Sequence, residues 1–434
     1  MKAASASPFR LVENLELGPA WAGNSVNCVP FRLDGICTQS DARYLAYFDA
    51  AGDICVVRQD LRDGRLTRAT LPNDRKPYDA HQCISLGIDR RGRVHLAFGA
   101  HGSTLLTTRS HTPDPADGFT PLVEDREGAT YPMFIRFSDG ELALLYRRGR
   151  HDAGEIRVER LDADADRWMP QDGCLISGLG TPWSAGPYLN TPVRGDDDAV
   201  HLFLVWRLPA AASSAGAVAN TGIDYLVATD RLRGLRTRSG VALTLPASPL
   251  TAERVIPVPV GASLMNQATA GLLPGDRPAV LTFWETGDGV PQYRLGWHTG
   301  MAWQVQTLSR FRTPFRLDGG GTLPLPHSRP ELLVHPDGRL VVVYRSSESG
   351  NRLLAEIWQP PRYERARMRR QVLVDEDLGF YEPIMDRAAW RVRGELVLYV
   401  QRCEQGMGRD GERDLKTSQA KIMKWSIFSD KYQN

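Results

Sequence analysis

The sequence predicts an all-β fold, a single seven-bladed β-propeller of four-stranded antiparallel blades running over residues 1–434. Three observations predict it: a strand-and-turn pattern that recurs seven times, the absence of convincing helical periodicity, and 29 prolines and 40 glycines spread so evenly that no linker offers a place to divide the chain.

The recurring unit is a turn rich in Asp and Gly, an apolar strand, and a polar or charged residue where the strand ends. Its copies are DAAGDICVVRQ from Asp49, DRRGRVHLAFGAH from Asp89, SDGELALLYRR from Ser138, DDDAVHLFLVWR from Asp196, PGDRPAVLTFWE from Pro274, HPDGRLVVVYR from His335 and RGELVLYVQR from Arg393. Successive copies lie roughly 40 to 80 residues apart, the scale of one blade lengthened by loops. One such match is an ordinary hairpin; seven in order define a repeat. The strand near Phe9 to Leu17 is expected to pair with the one near Lys421 to Phe428 and close the ring, because an unpaired edge is a liability. The small, polar stretch from Ala210 to Asn220 reads as a mobile surface loop over the site.

Hydrophobic residues make up 42% and charged residues 24%, with a formal net charge of +2, so the chain can bury a large core and lacks the basic signature of a nucleic-acid binder. The six cysteines form no CxxC pair, which argues against a zinc knuckle or a disulfide framework and for free core thiols. No apolar run is long enough for a signal segment or a membrane span, so the expectation is a chain without a membrane partner, cytoplasmic as written, and periplasmic or secreted if a signal has been removed.

Polar residues at strand ends carry the chemical information. His81 precedes a strand in YDAHQ, His101 ends one in AFGAH, Tyr131 opens one in ATYPM, and Arg147 ends its hairpin partner in LLYRR. If consecutive repeats adjoin, these four meet at one rim of the channel. Two imidazoles, a phenol and a guanidinium suit acid–base work on an anionic substrate, since His titrates near neutrality and Arg grips a carboxylate bidentately. Tyr188, Asn190, Arg207, Asn266 and Arg329 are further candidates for substrate contact. His95, His201 and His335 read as structural. P-loop, dinucleotide, HExxH and GxSxG signatures are missing, as is the sialidase Asp-box order.

Taken together, WAGNSVN at Trp21, the long segment at Tyr78, TYPMFIRF at Thr130, HLFLVWR at His201, MNQA at Met265, the segment from Ser328 and YEPIMDRAAW at Tyr381 resemble the BNR-repeat-type propellers that include ulvan lyases and lyases acting on rhamnosyl-glucuronate. The intervals from His81 to His101 and from Tyr131 to Arg147 match the catalytic set of that group. SAGPYLN departs from the group's more usual Asn-aromatic-Pro loop. The resemblance implies β-elimination at a glucuronate or iduronate, with Arg147 neutralising the C5 carboxylate, His81, His101 and Tyr131 sharing the acid and base roles, and Tyr188 in contact. It implies an anionic uronate-containing oligo- or polysaccharide as partner and no cofactor for the chemistry. A structural calcium or zinc occurs in the group, with ligands here unassigned.

A glycoside hydrolase on the same scaffold, such as a rhamnosidase, is the competing reading, disfavoured because the four candidates include no carboxylate pair. A third reading is a non-catalytic carbohydrate-binding propeller, with Trp183, Trp206 and Trp284 stacking on sugars.

Overall fold

The computed structural model describes residues 7–180, 184–213, 216–406 and 416–427. The recurring turns form as their chemistry requires. The Asp49 carboxylate accepts the amides of Ala51 (2.9 Å) and Asp53 (3.1 Å), and Asp89 does the same for Arg91 and Arg93 (2.8 and 2.9 Å). Three residues after each Asp, Gly52 and Gly92 take φ of +80°, a conformation that a Cβ would strain.

Each turn launches a strand buried on both faces, such as Ile54–Asp60 or Leu396–Gln401, while the outermost strands of the sheets, such as Leu66–Leu71 and Trp303–Thr307, are half wet. That gradient is what sheets stacked face to face produce.

The described strands form six antiparallel sheets, not seven separate ones. The sheet count differs from the repeat count because Val123–Arg136 is continuous. It pairs with His101–Arg109 on one edge and Leu142–Arg150 on the other, fusing the copies from Asp89 and Ser138 into one eight-stranded sheet. The expected terminal pairing is present: Phe9–Trp21 runs antiparallel to Thr417–Ile427, from Phe9 opposite Ile427 to Trp21 opposite Thr417. Phe428 lies outside the described residues.

The helix Arg387–Arg393 ties three sheets together. Arg387 donates to Glu331 (2.7 Å) and Thr191 (3.2 Å), Arg391 to Asp196 (2.6 Å), and Trp390 to the Val334 carbonyl (2.9 Å). Asp34, at a left-handed φ of +53°, sits among Arg387, Asp386 and Glu331, and burial pushes its carboxyl up to about 7. All six cysteines are unpaired, and Cys28, Cys55, Cys83 and Cys403 are buried. No helix of the described residues is long and apolar enough to cross a membrane.

Candidate functional site

A short turn, Ala80–Gln82, begins at Asp79, whose carboxylate caps the His81 amide at 2.8 Å. The same carboxylate binds both imidazoles: Oδ1 lies 2.7 Å from His81 Nδ1 and Oδ2 lies 2.5 Å from His101 Nδ1. The two rings stack with centroids 3.8 Å apart, and Phe31 continues the stack below His81 at 5.3 Å. Burial opposes charge on Asp79, yet the hydrogen bonds from His101 and His81 prevail and hold its carboxyl far below the usual range. An ionised Asp79 accepting from both Nδ1 atoms leaves each neutral ring with its lone pair on Nε2.

Tyr131 reaches the same place through a β-bulge. The register between Val123–Arg136 and Leu142–Arg150 slips between Leu145 and Arg147, and Tyr131 holds φ of +57° there. A bulge re-aims one side chain, and a left-handed tyrosine is strain of the kind functional sites keep. Burial raises the Tyr131 hydroxyl pKa above that of an ordinary tyrosine, with Tyr188 adding to the rise and Arg147, Arg207 and Arg329 opposing it. The Arg147 guanidinium lies 4.9 Å over the Tyr131 ring and 4.5 Å over Tyr188, and Arg207 covers Tyr188 at 4.3 Å.

These groups line one cleft of about 320 Å³. His81, His101, Tyr131, Arg147, Tyr188, Arg207, Asn266 and Arg329 all face it. Asn190 is not among the lining residues: it is buried, its Oδ1 accepts the Ala268 amide at 2.9 Å, and its Nδ2 has no hydrogen-bond partner among the described residues. Trp206 and Trp284 also belong to the core, Trp206 donating to Asp224 at 2.7 Å. Trp183 lies outside the described residues. His95, His201 and His335 are held by Asp89, Tyr225 and Asp337, in line with a structural role.

Several residues of the site, in the cleft wall or behind it, escaped sequence reasoning. Asp79 stood two positions before His81 but looked like any turn-capping aspartate. His151, Gln267, Phe31 and the strap 317–325 also line the cleft. Val218, from the alanine-rich stretch, faces it too and is fastened to that strap by a hydrogen bond to the Leu317 carbonyl at 3.0 Å. The DGGGT run in the strap was the one available signal.

Among the described residues the lining carries three arginines and three histidines and no Asp or Glu. The arginines are not equivalent. Arg329 is neutralised by a bidentate pair with Glu382 (2.9 and 2.5 Å). Arg207 bonds only to the neutral amides of Asn220 and Asn266, both at 2.9 Å. Arg147 is 4% exposed, and its Nε and Nη1 have no hydrogen-bond partner among the described residues. The cleft therefore presents guanidinium groups, with imidazole and phenol groups along one side.

Asp79, His81 and His101 are also the one His/Cys/Asp/Glu trio among the described residues with ligand atoms close enough to share an ion. Their geometry does not fit a metal. The contacts of 2.7 and 2.5 Å are hydrogen bonds, shorter than the separation of about 3.3 Å between ligands around tetrahedral zinc with bonds of about 2.0 Å. Calcium would need several more oxygens.

The chain belongs to the BNR repeat-containing family, whose model matches residues 42–311. The ulvan lyase of Nonlabens ulvanivorans is 29% identical over 106 residues, 21% of this chain and 22% of the relative, so the match spans about a fifth of that protein. Among solved structures, the polysaccharide lyase Uly1 superposes with a TM-score of 0.69 at 12% identity, over 95% of this chain and 99% of that one. The PL25 ulvan lyase bound to -[GlcA(1-4)Rha3S]- gives 0.66 at 13% identity, over 95% of both chains. At such identities the likeness is one of fold.

Proposed function

We propose that the chain forms one closed seven-bladed propeller over residues 1–434 and acts as a polysaccharide lyase, cleaving the bond at O4 of a uronic acid by β-elimination. The observation that carries this reading is the cleft lining among the described residues: guanidinium, imidazole and phenol groups, and no carboxylate. Glycoside hydrolysis ordinarily needs two carboxylates flanking the bond, whereas elimination needs a cation for the uronate, a base for the C5 proton and an acid for O4.

In this mechanism Arg147, buried and without an anionic partner among the described residues, takes the uronate carboxylate and lowers the pKa of the C5 proton. An imidazole of the Asp79-linked pair removes that proton through its Nε2 lone pair. The C5–H electrons become the C4–C5 double bond, and the C4–O4 bond breaks. Tyr131, kept protonated by its burial, delivers its proton to the departing O4. The products are a 4,5-unsaturated uronate and a new hydroxyl end. The fold likeness to an ulvan lyase bound to a glucuronate–rhamnose sulfate oligosaccharide supports a rhamnose-linked uronate as substrate.

The deciding experiment incubates the protein with uronate-bearing glycans, ulvan among them, and follows ultraviolet absorbance. Growth of the unsaturated-uronate chromophore is expected. New reducing ends without it would replace the lyase by a hydrolase.

A further inference from the structure

Two side chains in the cleft wall hold hydrogen-bond donors with no acceptor among the described residues: Nε and Nη1 of Arg147, and Nε2 of Gln267. Both side chains are nearly dry, at 4% and 3% exposure. Both residues border the cleft and also a void of about 10 Å³ beside it. Buried donors without acceptors are rare in native proteins and cost stability, and a set of them beside one cleft calls for an acceptor supplied from outside.

The orientation of Gln267 is enforced. Arg207 Nη2 and Asn220 Nδ2 donate to Asn266 Oδ1 at 2.9 and 3.0 Å. Asn266 Nδ2 in turn donates to Gln267 Oε1 at 3.2 Å. Each amide in this relay is set by the one before it, so the Gln267 oxygen is occupied and its NH₂ is turned away from the chain of partners. The backbone is strained to achieve this, with Gln267 at φ +58°.

We infer that Gln267, the third residue of the MNQA segment, is the second half of a carboxylate receptor whose first half is Arg147. The inference rests on the lyase reading for its substrate. A uronate carboxylate has two oxygens and about four acceptor sites. An Arg147 edge that joins Nη2 to Nε or to Nη1 can take two, and the Gln267 amide a third. As the C5 proton leaves, negative charge grows on those oxygens, so a fixed neutral donor bonds the transition state more strongly than the ground state. The loss on removing it should therefore fall on kcat more than on KM.

The test compares wild type with Gln267→Leu and the near-isosteric Gln267→Glu on a uronate oligosaccharide and on its carboxyl methyl ester, with thermal unfolding to verify that each variant folds. On the acid, Gln267→Leu should lose about 100-fold in kcat/KM, mostly in kcat, and Gln267→Glu more, because its carboxylate repels the substrate. On the ester, both variants should stay within a few-fold of wild type. Equal losses on acid and ester, or no loss on the acid, would overturn the inference. Should wild type eliminate from no uronate glycan, the lyase reading itself falls, and titration with free glucuronate then judges Gln267 separately: weaker binding by Gln267→Leu supports the receptor, and unchanged binding refutes it.

Discussion

The imidazoles of His81 and His101, twenty positions apart in the chain, lie parallel at 3.8 Å between centroids, and a single carboxylate, that of Asp79, holds both. The shared carboxylate fixes both tautomers at once.

Asp79→Asn follows directly. The amide cannot accept from both Nδ1–H groups as an anion does, so the rings lose their common orientation and tautomer. Turnover should fall by about ten-thousandfold, the loss found when an orienting aspartate is neutralised elsewhere, with KM changed little. Steady-state kinetics check it; a loss below tenfold would remove Asp79 from the machinery.

Arg147 trades stability for function. Its buried guanidinium, two of whose nitrogens lack a hydrogen-bond partner among the described residues, is costly in the free protein, so Arg147→Met should unfold at the same temperature as wild type or higher while losing elimination by about a thousandfold or more. Arg147→Lys should recover little, because a point charge lacks the planar fork. Scanning calorimetry and the absorbance assay read the two halves independently, and near-normal turnover in Arg147→Met would overturn the assignment.

Asp34 gives a pH signature of stability away from the cleft. Its folded carboxyl titrates near 7 because of burial, with Arg387 opposing the rise and Asp386 and Glu331 adding to it. The native state therefore keeps a proton that the unfolded chain has lost above its usual value of 3.8. This contribution is fully present below that value and is lost as pH rises through about 7. Asp34→Asn should match wild type in melting temperature at pH 4 and exceed it by a few degrees at pH 8. An equal gap at both pH values would contradict the shift.

Chelation tests the reading of the Asp79 trio. Held by hydrogen bonds and not arranged as a metal cage, it should keep full activity after exhaustive dialysis against a chelator. Activity that vanishes and returns with zinc would require a different account of the site.

Much of this was legible in the chain, for identifiable reasons. An Asp followed three residues later by Gly announces a turn through side-chain capping and positive φ, so Asp49–Gly52 and Asp89–Gly92 were readable locally. The pairing of Val123–Arg136 on both edges was not, because sheet membership is decided by neighbours far away in sequence. His81, His101, Tyr131 and Arg147 stood out as polar groups at strand ends. Gln267 and Asp79 did not, since their roles come from what they face. Asn190 misled because an amide beside a loop looks the same whether it meets solvent or caps a buried backbone amide.

The seam between Phe9–Trp21 and Thr417–Ile427 has a consequence for biosynthesis. During translation the first strand emerges long before its partner exists, and it must wait with its ladder positions open until nearly the whole polypeptide has left the ribosome. Nascent chains stalled short of residue 417 would carry a naked thirteen-residue edge, the feature that recruits holdase chaperones and seeds aggregation.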